Sequence, residues 1–280
     1  MDLIMARIEK LKNVVINTGK KLYREHTIDE NTVAMFDARS SWSGAAKNLV
    51  NGDEVKDLTY SAIKYKVENT TIPISFHNNG LRFAVNAAQK GRIDISKEGT
   101  PNHLDEDWVC QFWVSIEEYA EASANNIVFT CGSMSSWYFP SAICALAVGV
   151  SSDLVTPIAL RFSVCGSAAT IDDADSLALF TASANMQPIH VAVHAKIVDR
   201  TTQIKIYLNN VLKLSQNSPK SSTITTDNTI NCFNNPNVGH NKAQLAATYY
   251  RYRFDKIVSR GISASDLIAL EYSEYKDIFV

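Results

Sequence analysis

The sequence predicts an all-β protein, a two-sheet jelly-roll sandwich preceded by a short N-terminal helical segment. Three observations predict it. Short segments that alternate apolar and polar residues recur along the chain, the period of two that marks half-buried strands. Asparagine, glycine and aspartate punctuate these segments at turn spacing. A chain of 280 residues, 46% hydrophobic and 20% charged, can also bury a core large enough for two stacked sheets.

The elements follow in chain order. In residues 1–30, Ile4, Ile8, Leu11, Val15, Thr18 and Leu22 keep a 4-3-4-3-4 spacing, a heptad seam with one polar position. The seam reads either as an anchor that docks or trimerises the chain, or as an amphipathic helix lying on its own domain. Residues 31–280 form the remaining domain. "NTVAMFDARSSWSGAAKNLVNGDEVKDLTY" opens it, with a tight turn at Asn51-Gly52. "TIPISFHNN", "GLRFAVNAA" and "GRIDIS" are strand candidates split at Asn78-Asn79-Gly80 and Lys90-Gly91. "EDWVCQFWVSI", "NNIVFTC", "SAICALAVGV", "PIALRFSVCG" and "LALFTAS" continue the series.

"PIHVAVHAKIVDRTTQIKIYLNNVLKLSQ" reads as three strands. Ile189, Val191, Val193 and Ala195 point one way, while His190, Ala192 and His194 point to the less apolar side. After a polar break at Asp199 to Thr202, Ile204, Ile206 and Leu208 alternate with Gln203, Lys205 and Tyr207. A two-residue turn at Asn209-Asn210 would set Lys213 on the isoleucine face, which is costly. A three-residue loop, Leu208 to Asn210, pairs Tyr207 with Val211 and gathers Ile204, Ile206, Leu212 and Leu214; it is the expected connection, with Asn210 left-handed. The tract 217–239 reads as an exposed polar loop.

A net charge of −2 and a pI near 6.3 supply no basic field for nucleic acid. Asp2, Arg7, Glu9, Lys10 and Lys12 interrupt the start, so no signal-peptide apolar region fits. The most apolar window, residues 141–150, is too short to span a bilayer. The expectation is synthesis in the cytoplasm without membrane insertion. Five cysteines with no Cys-x-x-Cys pair fit reduced core thiols rather than a zinc site.

Candidate sites are few. The acidic clusters "LDEDW", "IEEYA" and "IDDADS" lack the same-face carboxylate pair that glycoside hydrolysis needs, and read as solvated turns. Asp172, Asp173 and Asp175 offer hard ligands suited to calcium; the competing reading is an acidic loop capping the next segment. His190 and His194 lie about 13 Å apart along a strand, too far to share a metal. His77, His103 and His240 fall in separate loops. Trp137, Tyr138 and Phe139 could stack on a sugar ring or alternate into a core; Trp42 and the Tyr249-Tyr250-Tyr252 group are weaker sugar candidates.

"HVAVHAKIVDRTTQIKIYLNNVLKL", the closing "FDKIVSRGISASDLIALEYSEYKDIF" and "EDWVCQFWVSI" together resemble laminin-G-like domains of the concanavalin A-like superfamily, in order over residues 105–275. Two departures stand out: Asn210 where the family prefers glycine, and Pro188-Ile189 where a tryptophan usually precedes the first histidine. Residues 31–60 resemble the opening of laminin-G-like phage and bacterial surface proteins. The resemblance implies a non-enzymatic structural or adhesive component of a phage virion, at tail, baseplate or fibre, that contacts other virion proteins or sister copies and binds a host-surface glycan. The competing readings are a cellular lectin module and a glycan-degrading enzyme.

Overall fold

The computed structural model describes residues 25–279 except 60, 69, 85–90, 103–104, 121, 123–124, 132–141, 184–186, 220–230, 235–244 and 258–261. Among these, the strands are β1 (Thr32–Asp37), β2 (Glu54–Lys56), β3 (Lys64–Glu68), β4 (Ser75–His77), β5 (Gly80–Phe83), β6 (Arg92–Ile95), β7 (Asp107–Glu118) and β8 (Asn125–Cys131). They continue as β9 (Cys144–Val150), β10 (Pro157–Val164), β11 (Ser167–Ile171), β12 (Ile189–Val198), β13 (Thr201–Leu208), β14 (Val211–Pro219), β15 (Asn231–Phe233) and β16 (Ala246–Lys256). Two helices accompany them, α1 (Ala174–Leu179) and α2 (Ala264–Phe279). One antiparallel sheet runs β14-β13-β12-β7-β16-β5-β4, with β1 also on β16; the other runs β11-β10-β9-β8-β15-β6-β3-β2. The all-β sandwich expected from the alternating segments is the fold.

The core lies between the sheets because each long strand turns every second side chain inward. Phe112, Val191, Ile206, Tyr252 and Phe254 of the first sheet meet Phe129, Leu146, Leu160 and Phe233 of the second. Tilted aromatic pairs fill the centre, Phe233–Tyr249 at 4.8 Å and Phe112–Phe129 at 5.2 Å between ring centres. Cys110, Cys131, Cys144 and Cys165 are buried within it; burial pushes the Cys131 thiol well up.

Three expectations are corrected. Leu208 pairs with Val211, so the hairpin turn has two residues, with Asn209 and Asn210 both left-handed at φ 47° and 64°. A bulge removes the objection to that turn: Tyr207 pairs with Leu212 but Ile206 with Leu214, which leaves Lys213 unopposed and lets it reach Asp173 at 3.6 Å. Leu212 therefore faces solvent with Val211, and only Leu214 packs against the core. "LALFTAS" is not a strand. Asp173 Oδ1 accepts the Ser176 N–H at 2.9 Å and starts α1, and Phe180 just beyond it is buried. Within 217–239, Asn217–Pro219 end β14 and Asn231–Phe233 form β15 between β8 and β6, with Phe233 fully buried.

The seam residues Ile4, Ile8, Leu11, Val15 and Leu22 lie outside the described residues. Residues 25–30, counted above with the N-terminal segment, fold onto the sandwich: Ile28 is buried beside Met35 and Leu58.

Helix α2 lies across the outer face of the first sheet. Ser263 Oγ accepts the Asp266 N–H at 3.1 Å as N-cap, and Asp266 and Lys276 suit the helix dipole at either end. Leu267, Ile268, Glu271, Tyr275 and Phe279 form its buried face. Beneath it an irregularity in β16 between Tyr249 and Arg251 turns both Tyr250 and Arg251 toward the helix. The Arg251 guanidinium, fully buried, meets Glu271 at 2.6 Å, Asp37 at 3.0 Å and Glu25 at 3.1 Å, and lies 3.9 Å from the Tyr275 ring centre. Arg253 holds Asp255 through two bonds of 2.8 and 2.9 Å.

Candidate functional site

On the outer face of the first sheet, β7, β12 and β13 present their side chains in register. Lys196 stands opposite Asp107 on one side and Gln203 on the other; His194 stands between Val109 and Lys205; Ala192 stands between Gln111 and Tyr207. The first turns of α2 cover Val109, Ala192 and Tyr207 with Ala264, Leu267 and Ile268. Further along, Tyr272 stacks parallel on Trp113 at 5.8 Å, and His190 packs against both rings. The helix begins too late to cover the remaining rows. There the polar side chains floor a cleft of about 430 Å³, with Ile257, Ser263, Ala264 and Ser265 along one wall and Val198 at the rim.

The electrostatics of the floor are uneven. Asp107 Oδ1 is 2.9 Å from His194 Nε2, and its other oxygen is 3.1 Å from Lys196 Nζ. Partial burial raises the Asp107 pKa, but the His194 and Lys196 contacts outweigh it and hold the carboxyl below the usual range. Lys205, directly across from His194, has no ion-pair partner among the described residues. The second histidine differs. His190 is fully buried under α2 with Nε2 3.1 Å from Gln111 Oε1, and burial lowers its pKa to about 4, so it is neutral near pH 7. Its Nδ1, Gln111 Nε2 and Trp113 Nε1 have no hydrogen-bond partner among the described residues. A buried water is the ordinary way such atoms are satisfied.

The cleft can bind a polar ligand. It offers hydroxyls at Ser263 and Ser265, an amide at Gln203, cations at Lys196 and Lys205, and apolar contact from Ile257 and Ala264. Among the described residues it holds a single carboxylate, already engaged, where the usual hydrolysis of a glycosidic bond uses two.

The residues singled out from sequence are scattered. Trp42 is 59% exposed in the turns after β1, near Arg39, whose guanidinium sits 4.7 Å from the Phe279 ring centre at the far end of α2. Trp137, Tyr138, Phe139, His103 and His240 lie outside the described residues. Tyr249 and Tyr252 are core, and Tyr250 is under α2 with its hydroxyl 3.1 Å from Ser115 Oγ, so that group offers no exposed face. Asp173 is used as the α1 cap, beside exposed Asp172 and Asp175. Among the described residues no three His, Cys, Asp or Glu side chains are grouped to hold a metal. Sequence reasoning missed the cleft because it took Asp107, with Asp105 and Glu106, for a solvated turn. The signal was present: outward His194 and Lys205 flank a two-residue turn at Asp199-Arg200, which places them opposite each other.

No family profile matches the chain, and no curated protein matches it either. Solved structures do. Trypanosoma rangeli sialidase in complex with sialic acid shares 13% identity at a TM-score of 0.55 over 90% of this chain and 34% of that one. The covalent intermediate of the same sialidase with 2,3-difluorosialic acid gives 13% and 0.53 over 89% and 33%. The binding domain of botulinum neurotoxin serotype D/C gives 11% and 0.48 over 88% and 52%. The chain thus spans about a third of the sialidase structures it resembles. At this identity the likeness to the sialidase structures is one of fold: a jelly-roll β-sandwich.

Proposed function

We propose that the chain is a non-catalytic, glycan-binding β-sandwich that serves as a structural and adhesive component of a phage virion, in its tail, baseplate or fibre. The observation that carries the binding half is the cleft beside the start of α2, where convergent polar side chains and an apolar wall match what a sugar ring presents. The sialidase of matching fold is seen with sialic acid, which favours a saccharide over other polar ligands. The virion half rests on the resemblance of residues 31–60 to phage surface proteins and on the heptad seam of residues 4–22, suited to sister copies or a neighbouring virion protein. A glycan array probed with the purified chain tests the binding. Capture should be lost in Ser265→Trp, which fills the cleft mouth from an exposed helix position. An array that stays blank, or a tryptophan variant that binds unchanged, contradicts the reading.

A further inference from the structure

The unpaired lysine of the cleft points to one class of sugar. The neighbouring lysines each have an acid: Lys196 in the cleft has Asp107 at 3.1 Å, and Lys256, next to Ile257 of its wall, has Asp105 at 2.7 Å. Lys205 has none among the described residues, although it is only partly exposed. Its cross-strand partner is His194, whose Nε2 is committed to Asp107. Two nitrogen bases directly opposite on a sheet face give each other no electrostatic support. A partly desolvated ammonium left unpaired carries a penalty that an incoming anion removes.

The charge count agrees. With Asp107 held in its ionised form between His194 and Lys196, the two lysines of the floor face one carboxylate, and the excess positive charge sits at Lys205. Gln203, Ser263 and Ser265 then remain for hydroxyl groups, and Ile257 with Ala264 for the apolar side of a ring. Building on the glycan-binding reading above, we infer that the cleft selects acidic saccharides, with Lys205 pairing the carboxylate or sulfate ester. Both anions are planar or compact oxygen acceptors of one charge, and the geometry serves either.

The test measures affinity by isothermal titration for four probes: lactose, 3′-sialyllactose, a glucuronic-acid-terminated disaccharide and 6-sulfated N-acetyllactosamine. The full chain is used, alongside Lys205→Met and Lys205→Arg. The wild type should prefer at least one acidic probe to lactose by about tenfold, the order expected of one charge-assisted hydrogen bond. Lys205→Met should abolish that preference and Lys205→Arg should keep it. Which acidic probes bind tells a carboxylate ligand from a sulfate. Equal affinity for lactose and the acidic sugars overturns the inference while leaving glycan binding intact. A preference that survives Lys205→Met overturns it as well, since the anion then sits elsewhere. If no probe binds and the array is also blank, both readings fall together; if the array captures only neutral glycans, this one falls alone.

Discussion

Asn209 and Asn210 share one turn and differ in what they contribute. Both have positive φ, as a type I′ turn requires. Asn209 is also tied across to β12: its N–H donates to the His190 carbonyl and its Oδ1 accepts the His190 N–H, each at 2.9 Å. Asn210→Gly should therefore be neutral or stabilising by about 0.5–1 kcal/mol through relief of left-handed strain. Asn209→Gly should cost about 1 kcal/mol net, because it loses a side-chain hydrogen bond. Denaturant unfolding of the two variants checks the opposite signs. The same turn form recurs at Asn78-Asn79, Asp199-Arg200 and Cys165-Gly166, so the hairpins depend on residues that tolerate positive φ. His190 gives a pH prediction at this scale. Its pKa falls from 6.5 to about 4 on folding, so between those values the unfolded chain binds the proton and the folded chain does not. Stability is full above about pH 6.5 and should be lost progressively as pH falls toward 4, by roughly 3 kcal/mol in all. Unfolding of wild type and His190→Gln at pH 7 and pH 5 checks it. The variant should lose most of that slope; a wild type equally stable at both pH values contradicts the assignment.

Among the elements, α2 is held by charge as much as by apolar contact. Glu271 is the helix's own contribution to the buried Arg251 cluster, and its loss would leave a guanidinium with less than its full set of carboxylates in the interior. Glu271→Ala should destabilise by about 3–5 kcal/mol, as removal of one partner of a buried pair does. Breaking the exposed Lys64–Glu54 pair by Lys64→Ala should cost less than about 1 kcal/mol. Thermal melts of both variants test the contrast. Glu25 belongs to the same cluster: burial raises its pKa, but Arg251 and Thr27 bring it down to about 2, so its share is kept above about pH 4.5 and lost in strong acid. None of this cluster was legible in the sequence. Glu25, Asp37, Arg251 and Glu271 are unremarkable charges until folding brings positions more than 200 residues apart into contact. β7 is buried on both faces and was read from its resemblance to a known strand, whereas the pair β12 and β13 was legible, since both segments alternate with a period of two. β15 was not, because three residues make no pattern, and the Asn209 turn was misread because a bulge in β14 cannot be seen from alternation alone.

For the whole molecule, the described residues form a sandwich with its own core, and residues 1–24 before it carry the seam proposed as an anchor. Deletion should therefore be placed after residue 24, since Glu25 and Ile28 are built into the sandwich. The shortened chain should keep its melting transition and lose self-association by light scattering. Loss of the fold would place the heptad stripe inside its own domain. No helix among the described residues is long and apolar enough to cross a membrane; the start of α2 frames the cleft. The proposed function places a glycan in this cleft. The most direct measurement is a two-dimensional amide NMR titration of the full chain with a glycan captured on the array. Shifts that concentrate at His194, Lys196, Gln203, Lys205, Ser263 and Ser265 are the predicted result; shifts confined to the Trp42 turns or the opposite sheet would contradict it.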